Sequence, residues 1–339
     1  FPIDSKALDY DAEMLQKFRT LTGVDPRVIL PQVLPAGADA GGLTEEGAKL
    51  LDPSGDLQPG IPFCPPEGDA GTGMTATNSV RVRTGNVSAG TSDFAMIVVD
   101  KLLGVHREID MVTTPDGAPV AMVHCNNCTS DINAWAGLFA EFAAAIGAEL
   151  DANTLYTLLF RKALEGDADC GGLLSYNYLS GEGVTDLDAG RPVFARTPDA
   201  KLTLANFMRT HLLSALATLK IGLDILTGEE HVAIEKLYGH GGFFKTPEVG
   251  QRLLSAAVGA PVSVMETAGE GGPYGMALLA AYRPDSHGKS LADFLDPEVF
   301  ANVKCVTLQA DAADCTGFDA FLARYQKALP LEKTATEVL

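Results

Sequence analysis

The first part of the chain carries apolar residues at the spacing of a helix. Met14, Leu15, Phe18 and Leu21 recur every three or four positions and predict an amphipathic helix over residues 9–21. Asp9 or Asp11 is the predicted N-cap and Gly23 the predicted stop, since these residue types cap helix ends. Pro-rich, extended stretches then separate this helix from a short second one.

After residue 79 the pattern changes: short apolar runs alternate with segments whose apolar residues recur at helical spacing. The runs predict strands at 80–89, 94–99, 119–125 and 261–266, and the periods predict helices at 133–147, 151–164 and 202–227. The Gly-rich residues 170–198 are predicted to form a loop, and the chain beyond residue 289 a final helical cover. Strands followed by helices, with glycines at the junctions, predict an α/β fold.

Composition narrows the classes of function. A chain of 339 residues suggests two domains, or one domain and part of another. The net charge of −19 excludes a protein that binds the nucleic-acid backbone, which needs a basic face. The sequence has no apolar run of the roughly 18 residues that a membrane span needs. Six dispersed cysteines do not form a disulfide framework, so a cytoplasmic location with reduced thiols is expected.

The segment from Gly68 to Ser92 carries the first chemical pattern. Asp69 is a lone carboxylate about twenty residues ahead of the turn Gly90-Thr91-Ser92. Such a turn between two strands offers backbone N–H groups and hydroxyls to an anion such as a phosphate. A nearby carboxylate could accept a proton from a substrate hydroxyl as a phosphoryl group arrives. Taken alone, Asp69 could instead be a turn residue that stabilises its own loop.

Two more glycine-bearing junctions follow. Tyr238-Gly239-His240-Gly241-Gly242 leads into a helix that carries Gln251, and Gly271-Gly272-Pro273-Tyr274-Gly275 leads into another helix. Glycine lets a backbone approach a ligand closely, and a helix N-terminus favours an anion. Each junction taken singly is equally consistent with a tight turn.

The order of these segments resembles the FGGY family of carbohydrate kinases, members of the actin-like ATPase superfamily. The counterparts of the family pattern are Gly68-Asp69, Gly90-Thr91-Ser92, His240-Gly241-Gly242 and Gly275-Met276-Ala277. The resemblance covers roughly residues 1–285. It implies the α/β, actin-like ATPase (ribonuclease H-like) fold, with residues 1–79 ending the sugar-binding domain and residues 80–339 forming the ATP-binding domain.

The resemblance also implies roles for individual residues. Asp69 would be the general base, and ATP with Mg²⁺ would be the phosphate donor. The expected nucleotide contacts are Gly90, Thr91, Ser92, Asn133, Gly241, Gly242, Thr246 and Gln251. No metal-ligating side chain is predicted.

This sequence departs from the family pattern at several positions. His240 stands where the family commonly has Gly or Asp, and Phe243-Phe244-Lys245 where small residues are common. The two aromatic residues could stack on adenine or narrow the pocket. The family's early Asp-x-Gly-Thr phosphate motif and its early sugar-binding segment are not found in the sequence. The resemblance therefore implies that a further segment precedes Phe1 in the complete enzyme.

The resemblance predicts ATP-dependent phosphorylation of a sugar hydroxyl, with a ketopentose such as ribulose or xylulose as the substrate. The partner is a small sugar rather than a nucleic acid or a membrane, and the oligomeric state is left open, with a homodimer as one option. The alternative is a nucleotide-binding module, or a truncated kinase, without catalysis of its own. A chaperone-type ATPase of the same superfamily is disfavoured, because no β-rich peptide-binding pattern follows residue 285.

The pair Cys125-x-x-Cys128 has several possible interpretations. A structural zinc site needs four ligands, and the sequence shows no second such pair. A redox pair at the start of a helix is an alternative. Packing in a loop is the interpretation that the sequence favours.

Overall fold

A computed structural model describes residues 2–269, 271–285 and 288–339. Phe1 and Glu270, which fall within segments discussed above, lie outside the described residues. The strands are β1 (Ile3–Asp4), β2 (Asp9–Tyr10), β3 (Thr84–Ala89), β4 (Asp93–Val98), β5 (Asp110–Thr113), β6 (Pro119–Cys125), β7 (Leu173–Tyr176), β8 (Val193–Arg196), β9 (Lys236–His240), β10 (Val262–Met265) and β11 (Cys305–Leu308). The helices are α1 (Ala12–Thr22), α2 (Glu45–Leu51), α3 (Asp69–Ala76), α4 (Ser130–Ala145), α5 (Ala152–Ala163), α6 (Leu204–Asp224), α7 (Val249–Val258), α8 (Gly271–Asp285), α9 (Leu291–Phe294), α10 (Ala312–Lys327) and α11 (Leu329–Val338).

A seven-stranded mixed sheet organises the described chain. Its strand order is β11-β10-β9-β3-β4-β6-β5. The neighbours β10–β9 and β9–β3 are parallel, and the other pairs in the sheet are antiparallel. Because β3 and β9 run in the same direction, the loops that leave their carboxyl ends meet at one edge of the sheet.

Helices cover both faces of this sheet. Alternating residues of β4 enter different cores: Ile97 packs with Leu212 of α6, and Met96 packs with Met74 of α3 and Leu278 of α8. Successive side chains of β4 therefore point to opposite faces of the sheet, and both faces are buried. This arrangement confirms the predicted α/β class.

The central helix α6 is almost wholly buried. With the π-helical turn that follows it, the stretch Leu204–Glu229 is long and apolar enough to cross a membrane, but 67% of its apolar window is buried within the protein. A Cβ at Gly222 would lie 2.3 Å from a methyl group of Val123 in β6. The helix thus lies directly on the sheet, as a core helix does.

Several predicted elements are confirmed and others were missed. The first helix begins at Ala12, with Asp11 as its N-cap and Gly23 in the left-handed conformation at its end. Only part of its apolar face is covered, since Leu21 is 86% exposed. The predicted loop at 170–198 contains the hairpin β7–β8, and the predicted helical tail contains β11.

The segment after Gly68 is a helix rather than a turn. α3 begins at Asp69, with Gly68 as its N-cap, and α8 begins at Gly271, earlier than the sequence suggested. α3 packs closely on α8, because a Cβ at Gly275 would lie 1.9 Å from the carbonyl oxygen of Thr72. The domain boundary between residues 79 and 80 stays a prediction, and it falls in the turn between α3 and β3.

Candidate nucleotide site

The Gly90 turn and the Gly241-Gly242 segment lie side by side. In the parallel pairing of β3 and β9, Ser88 is opposite His240, so both segments leave the sheet at the same edge. Gly241 has φ of +96°, and a Cβ on it would lie 2.5 Å from the carbonyl oxygen of Ala89. Only glycine fits this contact without displacing the backbone.

The start of α4 holds the Gly90 turn from the other side. The backbone N–H and the hydroxyl of Thr129 donate to the Gly90 carbonyl at 3.0 and 2.7 Å. The backbone N–H of Cys128 donates to the Thr91 carbonyl at 2.9 Å. The N-terminus of a 16-residue helix therefore adjoins the turn, and such an end favours an anion.

A cavity of about 640 Å³ opens beside these segments. Its walls come from the Gly90 turn, from α4, from α5 and from the segment after β9. The lining residues are Gly90, Thr91, Thr129, Ile132, Asn133, Ala152, Asn153, Tyr156, Thr157, Phe160, Gly242, Lys245 and Thr246. Five predicted nucleotide contacts, which are far apart in sequence, thus share one cavity of the size that small-molecule sites have.

The helical wall of the cavity is internally braced. The Tyr156 hydroxyl donates to the Asn133 side-chain oxygen at 2.8 Å, which links α5 to α4. Thr246, on the opposite wall, is buried. An aromatic ring, amide groups and hydroxyls can together bind the faces and edges of a purine and a ribose.

Three predicted contacts lie outside this cavity. Gly241 lines a second cavity of about 410 Å³ on the other side of the same segment. The carbonyl of Ser92 accepts a hydrogen bond from the Gly90 N–H at 2.9 Å and closes the turn. The Gln251 amide is buried, and its nitrogen donates to the carbonyls of Val262 and Val306. The structure therefore places Gln251 where it ties α7 to β10 and to β11.

Asp69 is exposed at the first residue of α3. The helix that carries it reaches the site, since a Cβ at Gly73 would lie 3.6 Å from the Asn86 amide nitrogen and 3.8 Å from His240. Gly272, at the start of α8, lies beside the Thr72 hydroxyl. Asp69 is thus at the end of a helix that borders the second cavity, and its role as a base stays a prediction.

His240, one of the departures from the family pattern, is uncharged at neutral pH. Burial lowers the pKa of its imidazole to about 4. The ring nitrogen Nε2 lies 3.0 Å from the Asn86 amide nitrogen, and the His240 side chain lines the second cavity. The cavity therefore has a polar but uncharged wall at this point.

The two aromatic residues after Gly242 do not line the larger cavity. Phe243 is fully buried, and its ring packs 6.0 Å from the ring of Phe160. Phe244 is also buried and lies against Gly239. Phe243 therefore has neither of the two proposed functions, stacking on adenine or narrowing the cavity, whereas Phe244 is among the residues that line the second cavity.

A pair of buried carboxyl groups lies behind the Gly90 turn. Asp93 is fully buried opposite Cys125 on β6, and burial, followed by the nearby Glu182, raises the pKa of Asp93 well above its ordinary value. Neither carboxyl oxygen of Asp93 has a hydrogen-bond partner among the described residues, which is consistent with this rise in its pKa. Glu182 accepts hydrogen bonds from the backbone N–H groups of Asn126 and Asn127, although burial still raises its pKa.

Cys125 and Cys128 are free thiols in this same region. Both are buried, and burial raises the pKa of each thiol well above its ordinary value. A raised pKa disfavours the thiolate that redox and metal chemistry need. In the part of the chain that the structure describes, no group of three or more His, Cys, Asp and Glu side chains could hold a metal ion. These facts favour the packing interpretation of the cysteine pair.

Sequence reasoning missed the α5 wall of the cavity. Asn153, Tyr156, Thr157 and Phe160 follow the spacing of one helix face. That face places polar groups where a covered helix would carry apolar ones. Polar residues on an otherwise apolar helix face are the signal by which the four lining residues could have been found.

Comparison with solved structures defines the class of fold. Xylulose kinase from Rhodospirillum rubrum superposes with a TM-score of 0.73 at 18% identity, over 95% of this chain and 61% of that chain. Gluconate kinase from Lactobacillus acidophilus gives 0.73 at 15% identity, over 97% and 62%. Plasmodium falciparum glycerol kinase with ADP gives 0.66 at 14% identity, over 97% and 61%. The fold is the actin-like ATPase fold of these kinases, and the chain spans about three fifths of their length.

The sequence itself identifies the family. The profile of the C-terminal domain of the FGGY family of carbohydrate kinases matches residues 85–283, which is more than half of the chain. No curated protein matches the chain significantly. The chain belongs to the FGGY family of carbohydrate kinases, as the resemblance of its motifs indicated.

Proposed function

We propose that this protein phosphorylates a sugar hydroxyl with ATP as the donor. The observation that carries the proposal is the single cavity that Gly90, Thr91, Asn133, Gly242 and Thr246 help to line, although these residues come from three segments distant in sequence. Its combination of turn amides, hydroxyls and two aromatic residues, Tyr156 and Phe160, suits a purine nucleotide. Family membership and the named sugar kinases of the same fold support the same activity.

In this proposal different groups of the chain bind the phosphate and accept the proton. The backbone N–H and the hydroxyl of Thr91, together with the N-terminus of α4, hold phosphate oxygens, because the Gly90 N–H already donates to the Ser92 carbonyl. Asp69 accepts the proton of the attacking sugar hydroxyl. Phosphoryl transfer depends mostly on such positioning and on charge neutralisation. Mg²⁺, when it is bound, neutralises phosphate charge and would be held mainly by the phosphate oxygens themselves, as this ion prefers.

The substrate that we propose is a ketopentose of the xylulose or ribulose type. Solved xylulose kinases from two bacteria share the fold, which supports this choice within a family that also contains gluconate and glycerol kinases. We place the enzyme in the cytoplasm, with a free sugar rather than a nucleic acid or a membrane as its partner. A homodimer stays a prediction.

A phosphorylation assay across ketoses, aldoses and polyols tests the proposal. We expect ATP-dependent turnover of one ketopentose, which Asp69→Asn abolishes and Asp56→Asn, a change at another exposed carboxylate, leaves unaltered. If no sugar is phosphorylated while the protein still binds ATP, the catalytic claim fails. The alternative of a nucleotide-binding module without catalysis then takes its place, which is consistent with a chain that spans 61% of its structural relatives.

A further inference from the structure

The described residues that line the two cavities carry a local charge opposite to that of the whole chain. The protein carries 44 acidic and 25 basic residues, with a net charge of −19. Yet the residues described as lining the two cavities include no Asp or Glu, and Lys245 is the one Lys or Arg among them. A cavity with a positive lining in an acidic protein attracts anions and repels cations relative to the rest of the surface.

The backbone around Lys245 is fixed. Its N–H donates to the Gly242 carbonyl at 3.2 Å and closes a short 3₁₀ turn, and its neighbours Phe244 and Thr246 are buried. Gly241, at the start of this turn, is pressed against the carbonyl of Ala89, immediately before Gly90. The backbone at Lys245 is therefore held in a fixed position relative to the Gly90 turn, within the reach of a lysine side chain that lines both cavities.

Lys245 is an exposed residue, and its ammonium group has no counter-ion among the described residues. Other lysines, such as Lys162 and Lys220, pair with a neighbouring carboxylate. Within the ranges 2–269, 271–285 and 288–339, Lys245 forms no ion pair, in contrast to Lys162, Lys201 and Lys220. An ordinary surface lysine can also be exposed and unpaired. Lys245 differs from such a residue because it lines both cavities, which share Gly242 as well.

We propose that Lys245 binds the phosphate chain of the nucleotide and so makes the site select nucleoside di- and triphosphates over nucleosides. The inference rests on the proposed function. The ammonium would supply the charge that the backbone amides of the Gly90 turn lack. Lys245 is a binding residue here, and the proton transfer is left to Asp69.

Calorimetric titration with ADP and with adenosine tests this inference. We expect the unchanged protein to bind ADP more tightly than adenosine. In Lys245→Gln, ADP binding should weaken roughly tenfold, as loss of one charge-assisted contact does, while adenosine binding changes less than about twofold. Lys245→Arg should retain most of the ADP affinity. Lys333→Gln, at an exposed lysine remote from both cavities in sequence, is the matched control and should change neither affinity.

A second readout separates a charge effect from a structural one. The affinity of the unchanged protein for ADP should fall with rising salt more steeply than that of Lys245→Gln. Equal losses of ADP and adenosine binding, or no loss of either, would overturn the inference while leaving nucleotide binding intact. If the unchanged protein binds neither ligand, the proposed function fails together with the inference.

Discussion

The nucleotide side and the acceptor side of the candidate site are built in different ways. The nucleotide side is a cavity whose walls come from two turns and two helices, with positions fixed by backbone contacts such as Gly241 on Ala89. In the proposed mechanism the acceptor side contributes a single exposed carboxylate, Asp69, at the first residue of α3. Nucleotide binding should therefore depend on many contacts, whereas turnover should depend on one side chain.

The two sides are joined through the packing of α3 on α8. The Thr72 carbonyl fills the space that a side chain at residue 275 would occupy. The position of Asp69 relative to the sheet edge therefore depends on a glycine that touches no substrate. Changes at Asp69, at Gly275 and in the cavity should consequently have different and separable effects.

The largest effect is expected at the acceptor side. Asp69→Asn should lower the turnover number about 10³-fold, because the amide cannot accept the proton of the sugar hydroxyl. The dissociation constant of ADP, measured by calorimetry, should stay within about twofold of the unchanged value. A variant that loses turnover and ADP affinity to the same extent would show that the two sides are not separate.

The next prediction tests the packing of α3 on α8, which connects the nucleotide side to the acceptor side. Gly275→Ala should lower the free energy of unfolding by about 3 kcal/mol, because its Cβ would overlap the Thr72 carbonyl and force α3 from α8. Denaturant unfolding measures the loss. Gly137→Ala is the control, because that glycine lies within α4 with nothing near its Cβ, and it should instead raise stability by up to about 1 kcal/mol. Equal changes in the two variants would contradict the close contact.

A third prediction concerns the buried carboxyl behind the Gly90 turn. The pKa of Asp93 is raised in the folded protein, so the folded state retains a proton that the unfolded state loses above the ordinary value near 3.8. Stability should therefore fall as pH rises above that value, until the raised pKa of the folded state is passed. In Asp93→Asn this contribution is absent, and the stability difference between the two proteins should change by up to about 1.4 kcal/mol per pH unit.

Thermal or denaturant unfolding at a series of pH values above 5 measures this difference. Glu182, Cys125 and Cys128 face the same region and interact electrostatically with Asp93, so the difference between the two proteins reports the titration of Asp93 together with its coupling to these groups. Parallel stability curves for the two proteins would show that Asp93 is ionised in the folded state.

The smallest effect is expected on the helical wall of the cavity. Tyr156→Ala should weaken ADP binding about fivefold, because it removes an aromatic surface and the hydrogen bond to Asn133. Leu158→Ala, at an exposed position of the same helix outside the cavity, should leave the affinity unchanged. If both variants bind ADP like the unchanged protein, α5 is not part of the nucleotide site.

The regular elements of the fold were predictable where local signals agree. Strands β4 and β6 are continuous apolar runs, and α5 and α6 have capping side chains at Asp151 and Thr203. α3 was missed because Gly71 and Gly73 lower its helix propensity, while its formation depends on packing against α8. The hairpin β7–β8 was hidden because glycines dominate the surrounding segment.

The site was predictable to a similar degree. Gly90, Thr91 and Gly242 were identified because turn residues follow apolar strands, and the parallel pairing of β3 and β9 brings them together. Tyr156 and Lys245 were not, since their contribution depends on which way a helix face and a short turn point. Those directions are set by contacts between segments that are distant in sequence.

A crystal structure of the protein with ADP tests the central claim most directly. The account predicts ADP in the cavity of about 640 Å³, with phosphate groups at Gly90 and Thr91 and the adenosine between Tyr156 and Thr246. ADP bound elsewhere on the protein, or an empty cavity at a saturating concentration of ADP, would contradict it.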